Sequence, residues 1–132
     1  MLGSIITSVP GSSEYFLGGT ITYSNGSKED LLMVPETTIA EKGAVSEETA
    51  VGMAAGVRKM FGSDLSLSIT GIAGPGGGTA DKPVGTVWIG VSSKNGTFAR
   101  KFVFEGNRDE VRISAVNAAI TLLIGTIEHG TH

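Results

Sequence analysis

Cysteine is absent from the 132 residues. That excludes disulfides, thiolate metal sites and a cysteine nucleophile, and it fits a reducing compartment without requiring one. Histidine is nearly absent as well. His129 and His132 both sit at the C-terminal end, so a histidine metal site or a Ser-His-Asp triad would have to be built on a stretch that commonly frays. No metal and no other cofactor is therefore expected. Basic residues number 10 against 13 acidic ones, for a net charge of −3. They are scattered, so no basic stripe is available to follow a nucleic-acid backbone. The apolar runs read as too short to cross a bilayer. The start, Met1-Leu2-Gly3-Ser4-Ile5-Ile6, lacks the basic region of a signal peptide. The expectation is a cytoplasmic protein with no nucleic-acid or membrane partner.

Glycine is what the chain has in excess, 20 residues. The glycines follow no fixed period, which excludes collagen and repeat arrays. The length suits a single domain over residues 1–132. Residues 2–8 read as the end of a helix stopped by Pro10. Thr20-Ile21-Thr22-Tyr23 is β-branched and aromatic, as in a strand, and Asn25 can cap a helix reaching about Met33. Pro35 to Lys42 suits a short helix with Gly43 after its end. Ser46 caps a helix with Glu47 and Glu48 in its first turn. That helix runs to Phe61, buries Val51, Ala54, Ala55 and Met60, and stops at Gly62. Leu65, Leu67 and Ile69 alternate with serines in a strand that ends in the glycine-rich stretch Thr70–Thr79. Val84 to Ser92 and Thr97 to Phe104 form a hairpin around Lys94-Asn95-Gly96. Asn107 and Glu110 make a capping box for a last helix, which packs through Val116, Ala119, Ile120, Leu123 and Ile127. One hairpin combined with crossover helices implies a three-layer α/β/α sandwich on a mixed sheet.

Three segments carry unusual chemistry: Gly11-Ser12-Ser13 with Tyr23 and Lys28, the glycine-rich stretch after a strand end, and Gly106-Asn107-Arg108-Asp109 at a helix start. Each also has a purely structural reading, with the serines as turn caps, Tyr23 as a core residue and Lys28 and Arg108 as solvated charges. The glycine stretch is neither a Walker loop nor a dinucleotide fingerprint. It lies at a strand carboxyl end, where open α/β sheets bind ligands, and its N–H groups could form an anion nest. Without histidine or cysteine, a nucleophile must be a serine or threonine activated by lysine or tyrosine, and Ser-Lys arrangements do attack amides. Ser13, Tyr23 and Lys28 could form one.

Five motifs in order, Thr7-Ser8-Val9-Pro10-Gly11-Ser12-Ser13, Thr22-Tyr23-Ser24-Asn25 with Lys28, Gly43-Ala44-Val45-Ser46-Glu47, Thr70-Gly71-Ile72-Ala73-Gly74-Pro75 and Lys82-Pro83-Val84-Gly85-Thr86-Val87, closely resemble the CinA C-terminal domain family. Gly106-Asn107-Arg108-Asp109 matches a sixth, looser one. The resemblance implies that family's fold and a nicotinamide mononucleotide deamidase activity, which releases ammonia and nicotinate mononucleotide. It implies Ser13, Tyr23 and Lys28 as the catalytic group, with Thr70, Gly71 and Arg108 in the substrate pocket. It further implies a nucleotide as the small-molecule partner and a homo-oligomer. In that chemistry Ser13 Oγ attacks the carboxamide carbon, Lys28 takes its proton directly or through Tyr23, and backbone N–H groups hold the oxyanion.

The sequence departs from the family pattern in two respects. It begins inside the helix that ends at Thr-Ser-Val-Pro, without the preceding strand and Glu-Ser-Cys-Thr-Gly-Gly turn. The expectation is an N-terminally truncated domain of strongly reduced activity, whose open sheet is covered by a partner subunit. Gly26-Ser27 also stands where helix formers are usual. The competing reading is a non-catalytic module that binds a nucleotide or assembles with partners.

Overall fold

The computed structural model describes residues 1–21 and 34–129. In chain order they form α1 (Leu2–Thr7), a 3-10 turn (Ser12–Glu14), α2 (Glu36–Lys42), α3 (Glu47–Phe61), β1 (Leu65–Gly71), β2 (Thr86–Ser93), β3 (Gly96–Val103) and α4 (Arg108–His129). Local chemistry explains the helix limits. Ser46 Oγ accepts the Thr49 N–H at 3.2 Å and donates to the Gly43 carbonyl at 2.9 Å. Two acids follow in the first turn, Arg58 and Lys59 lie in the last, and Gly62 ends the helix in the left-handed region, the arrangement that the helix dipole and chain sterics favour. Ser46→Ala is expected to cost about 1 kcal/mol, read as a lower urea midpoint with an unchanged m-value.

The strands lie in the order β1-β2-β3, and both pairings are antiparallel, with Ile69 opposite Ile89 and Ile89 opposite Arg100. The central strand β2 is buried along nearly its whole length. One sheet face presents Leu67, Ile69, Val87 and Ile89 to Val111, Ala115 and Ala119 of α4. The opposite face belongs to α3. There the serines that alternate with Leu65, Leu67 and Ile69 turn to the helix, Ser68 buried and Ser66 half-buried. Ser66 Oγ donates to the Ala54 carbonyl at 2.6 Å and Ser68 Oγ to the Ala50 carbonyl at 2.7 Å. Gly90 completes this close approach, since a Cβ there would lie 2.5 Å from the Ala50 oxygen. Alternation of apolar and hydroxyl residues thus yields a sheet covered on both sides, with helix carbonyls in the place of solvent.

The three-layer α/β architecture is the one the sequence implies. The mixed sheet expected from a hairpin with crossover helices is not seen among the described residues, where both strand pairings are antiparallel. Of the strand expected over Thr20–Tyr23, Thr20 and Ile21 are irregular here, and Thr22 and Tyr23 lie outside the described residues, as does the helix expected from Asn25 to Met33. The two packing stripes match expectation in part: Ala54 of α3 and Val116 and Ala119 of α4 are buried as expected, and other positions differ. In α3 the buried residues are Thr49, Ala50, Met53 and Ala54, while Met60 is 43% exposed. In α4, Val111, Ala115, Val116 and Ala119 are buried and Ile127 is 63% exposed. Helical spacing defines a stripe but not its phase, and these helices approach the sheet through alanines. One helix, Arg108–Glu128, is by length and composition long and apolar enough to cross a membrane, a property that the short continuous apolar runs do not reveal. Its first half supplies part of the core of this domain.

Candidate active site

The glycine-rich stretch is a built loop. At its base Ile72 N–H donates to the Thr86 carbonyl at 2.9 Å, Gly85 N–H to the Ile72 carbonyl at 2.7 Å and Phe104 N–H to the Gly85 carbonyl at 2.9 Å. Gly85 has φ +95°, and an added Cβ would collide with the Phe104 carbonyl, so a side chain is excluded on two counts. At the tip, Thr79 N–H donates to the Lys82 carbonyl at 2.9 Å and Lys82 N–H to Thr79 Oγ1 at 3.1 Å, closing a turn.

Two of the expected substrate-pocket residues border this loop and are tied to backbone carbonyls. Thr70, on the last turn of pleat before the loop, is 7% exposed and donates its hydroxyl to the Ala44 carbonyl at 2.7 Å. Gly71 ends β1 opposite Val87. Arg108 starts α4, where the expected capping box is formed in both directions. Asn107 N–H donates to Glu110 Oε1 and Glu110 N–H to Asn107 Oδ1, each at 2.9 Å. That fixed first turn carries Arg108 Nη1 to 2.9 Å from the Gly74 carbonyl. A guanidinium has five N–H donors, so the contact uses one and latches the loop to the helix. Thr70 and Gly71 thus lie at the start of the loop, and Arg108 contacts it at Gly74.

Ser13 stands on a turn of its own. Gly11, at φ 86°, leads into the 3-10 turn, with Ser12 N–H donating to the Val9 carbonyl at 3.2 Å and Glu14 N–H to the Gly11 carbonyl at 3.1 Å. The turn separates the two serines. Ser12 is buried at 7% exposure, and Ser13 faces solvent. Tyr23 and Lys28 lie outside the described residues. Among the described residues no group of three or more His, Asp or Glu side chains could hold a metal ion.

A cavity of about 300 Å³ lies beside the loop, with Lys42, Ser46, Asp81, Lys82, Trp88 and Lys101 in its wall. Trp88 pairs with both Thr70 and Lys101, so the cavity adjoins the row of side chains that contains Thr70. A cavity of about 490 Å³ beside Arg58, Asp64 and Ser93 lies at the other end of the sheet. Its hydroxyls are already engaged: Ser63 Oγ donates to the Leu65 carbonyl, and Ser92 and Thr97 share a 2.7 Å hydrogen bond. The Lys82–Val87 motif is visible in the sequence, but the reach of the Lys82 side chain to the Lys42 carbonyl is not.

Residues 1–127 match the CinA C-terminal domain. The chain belongs to that family. A CinA-like protein of Geotalea uraniireducens is 56% identical over 108 residues, 82% of this chain and 26% of the relative. A CinA-like protein of Geobacter sp. strain M21 is 50% identical over 123 residues, 93% of this chain and 30% of the relative. The chain thus spans less than a third of the curated relatives it matches. Solved CinA-family structures share the fold. The competence/damage inducible protein CihA of Agrobacterium tumefaciens superposes with a TM-score of 0.91 at 36% identity, over 94% of this chain and 76% of that one. The competence damage-inducible protein A of Klebsiella pneumoniae does so at 0.93 and 28% identity, over 98% and 81%. The CinA C-terminal fold is therefore established for the described layers.

Proposed function

We propose that this CinA C-terminal domain is a nicotinamide mononucleotide deamidase, hydrolysing the carboxamide to nicotinate mononucleotide and ammonia. The observation that carries the reading is Ser13, presented to solvent on a tight turn within the Gly-Ser-Ser motif. Ser13 Oγ attacks the carboxamide carbon, and its proton passes to Lys28, directly or through Tyr23. The tetrahedral oxyanion is held by backbone N–H groups. Collapse expels ammonia, with the proton delivered back to the leaving nitrogen. Water then attacks the acyl-serine and releases the carboxylate, and Ser13 recovers its proton. The loop latched by Arg108 is the natural wall for the nucleotide. Four of the five guanidinium N–H groups are not used on Gly74, and they suit a phosphate. We place the protein in the cytoplasm, as a homo-oligomer, on the same reading.

The hydroxyl of Thr70 and one arm of Arg108 are spent on backbone carbonyls, which favours a second reading, a nucleotide-binding or assembly module without turnover. Ammonia release from nicotinamide mononucleotide, followed beside calorimetric binding of the same nucleotide, separates the two. Turnover that Ser13→Ala removes supports the deamidase. Binding without turnover, both in this chain and in a form carrying the strand and turn that precede the Thr-Ser-Val-Pro helix in the family, supports the module instead.

A further inference from the structure

The Lys82–Val87 motif contributes nothing to the chemistry above, yet its lysine makes a specific long-range contact. Lys82 Nζ donates to the Lys42 carbonyl at 2.9 Å, a link between residues forty apart in the chain. Lys42 is the last residue of α2, where carbonyls have no partner within the helix and where the helix dipole favours a cation. Gly43 makes room for it. Its φ of +85° turns the chain out of α2, and a Cβ there would lie 3.1 Å from Lys82 Nζ. The Gly43 carbonyl is itself taken by the Ser46 and Thr49 hydroxyls at 2.9 and 2.7 Å, leaving the Lys42 carbonyl as the one that meets the ammonium.

Both ends of this link are anchored. On the loop side, the Lys82 backbone closes the terminal turn through Thr79. On the helix side, α2 is fixed to α3 by the buried cluster of Val34, Ile39 and Met53. The glycine-rich loop is thus fastened to the end of α2, while Arg108 holds the other part of the loop from α4.

We infer that Lys82 is a positioning residue, tying the glycine-rich loop to the C-terminal end of α2 and acting through the loop without touching substrate. The kinetic consequence rests on the deamidase reading; the structural one does not. A loop released from α2 leaves the reacting amide out of near-attack geometry, which lowers turnover more than affinity.

The test compares Lys82→Met, which keeps the aliphatic stem and removes the donor, with Lys82→Arg, which restores a donor. Steady-state ammonia release from nicotinamide mononucleotide is measured beside amide hydrogen exchange of residues 73–81, with β2 amides as the check that the core is folded. For Lys82→Met the expected result is a kcat roughly tenfold lower with KM little changed, together with loop exchange roughly tenfold faster. Lys82→Arg is expected to recover most of both. Faster loop exchange that arginine reverses, in a protein that releases no ammonia either as this chain or in the form carrying the family's preceding strand and turn, supports the link while removing the deamidase. Loop exchange unchanged in Lys82→Met overturns the inference, whatever happens to kcat.

Discussion

Ser13→Ala is expected to lower kcat for ammonia release by roughly three orders of magnitude or more, with little loss of stability. A serine nucleophile has no substitute once its oxygen is gone, and what remains is catalysis by binding and oxyanion stabilisation alone. The neighbouring residue supplies the control. Ser12 is buried at 7% exposure and Ser13 is exposed, so the two hydroxyls of Gly-Ser-Ser have different work. Ser12→Ala should act on the turn, through a lower midpoint of unfolding. Ser13→Ala should act on the rate, with the unfolding midpoint unmoved. The assay belongs both in this chain and in a form extended by the family's preceding strand and turn, since nucleotide contacts remote from the amide raise kcat when they are used in the transition state. An active Ser13→Ala protein would remove this serine from the chemistry and the deamidase proposal with it.

The largest expected effect on stability is at Ile89. It is completely buried in the middle of β2, packs with Val111, Ala115 and Ala119, and pairs with Ile69 across the sheet. Both faces of the sheet are covered, so the cavity left by truncation has little freedom to collapse. Ile89→Ala is expected to cost about 2–5 kcal/mol. Urea unfolding with an unchanged m-value measures it, and a loss below about 1 kcal/mol would contradict the packing of α4 on this strand.

The parts of this fold that were legible in the sequence are those written in short-range chemistry. Ser46 with two following acids, Gly62 after Phe61, and the Asn107–Glu110 box each satisfy backbone groups within a few residues, so the sequence names both ends of the interaction. The hairpin around Lys94-Asn95-Gly96 is of the same kind. Packing phase was less legible. Ala54 and Ala119 are core as expected, yet Met60 and Ile127, which look like core residues by size, are exposed, and close contact between helix and sheet selects Ala50 and Ala115 instead. The serines of β1 look like a wet face, because nothing local says that the carbonyls of α3 come down upon them. The site follows the same division. Its motifs were visible in order, whereas the links Arg108–Gly74 and Lys82–Lys42 join residues 34 and 40 positions apart and exist only once the layers are assembled. Tyr23 and Lys28 lie outside the described residues, so their part in the catalytic group stands as proposed.

The single tryptophan of the chain has a consequence for how the molecule can be watched. Trp88 is half-buried in β2, between Thr70 and Lys101 in the register and in the wall of the cavity beside the loop. Indole emission responds to hydration and to nearby charge, and here one chromophore shares that cavity wall with the Lys82 ammonium. The protein therefore carries a built-in optical reporter at the place where the loop meets α2. Movement of the loop away from α2 would change the hydration of the indole and shift its emission, so release of the Lys82 link registers as a change of colour in an unlabelled sample.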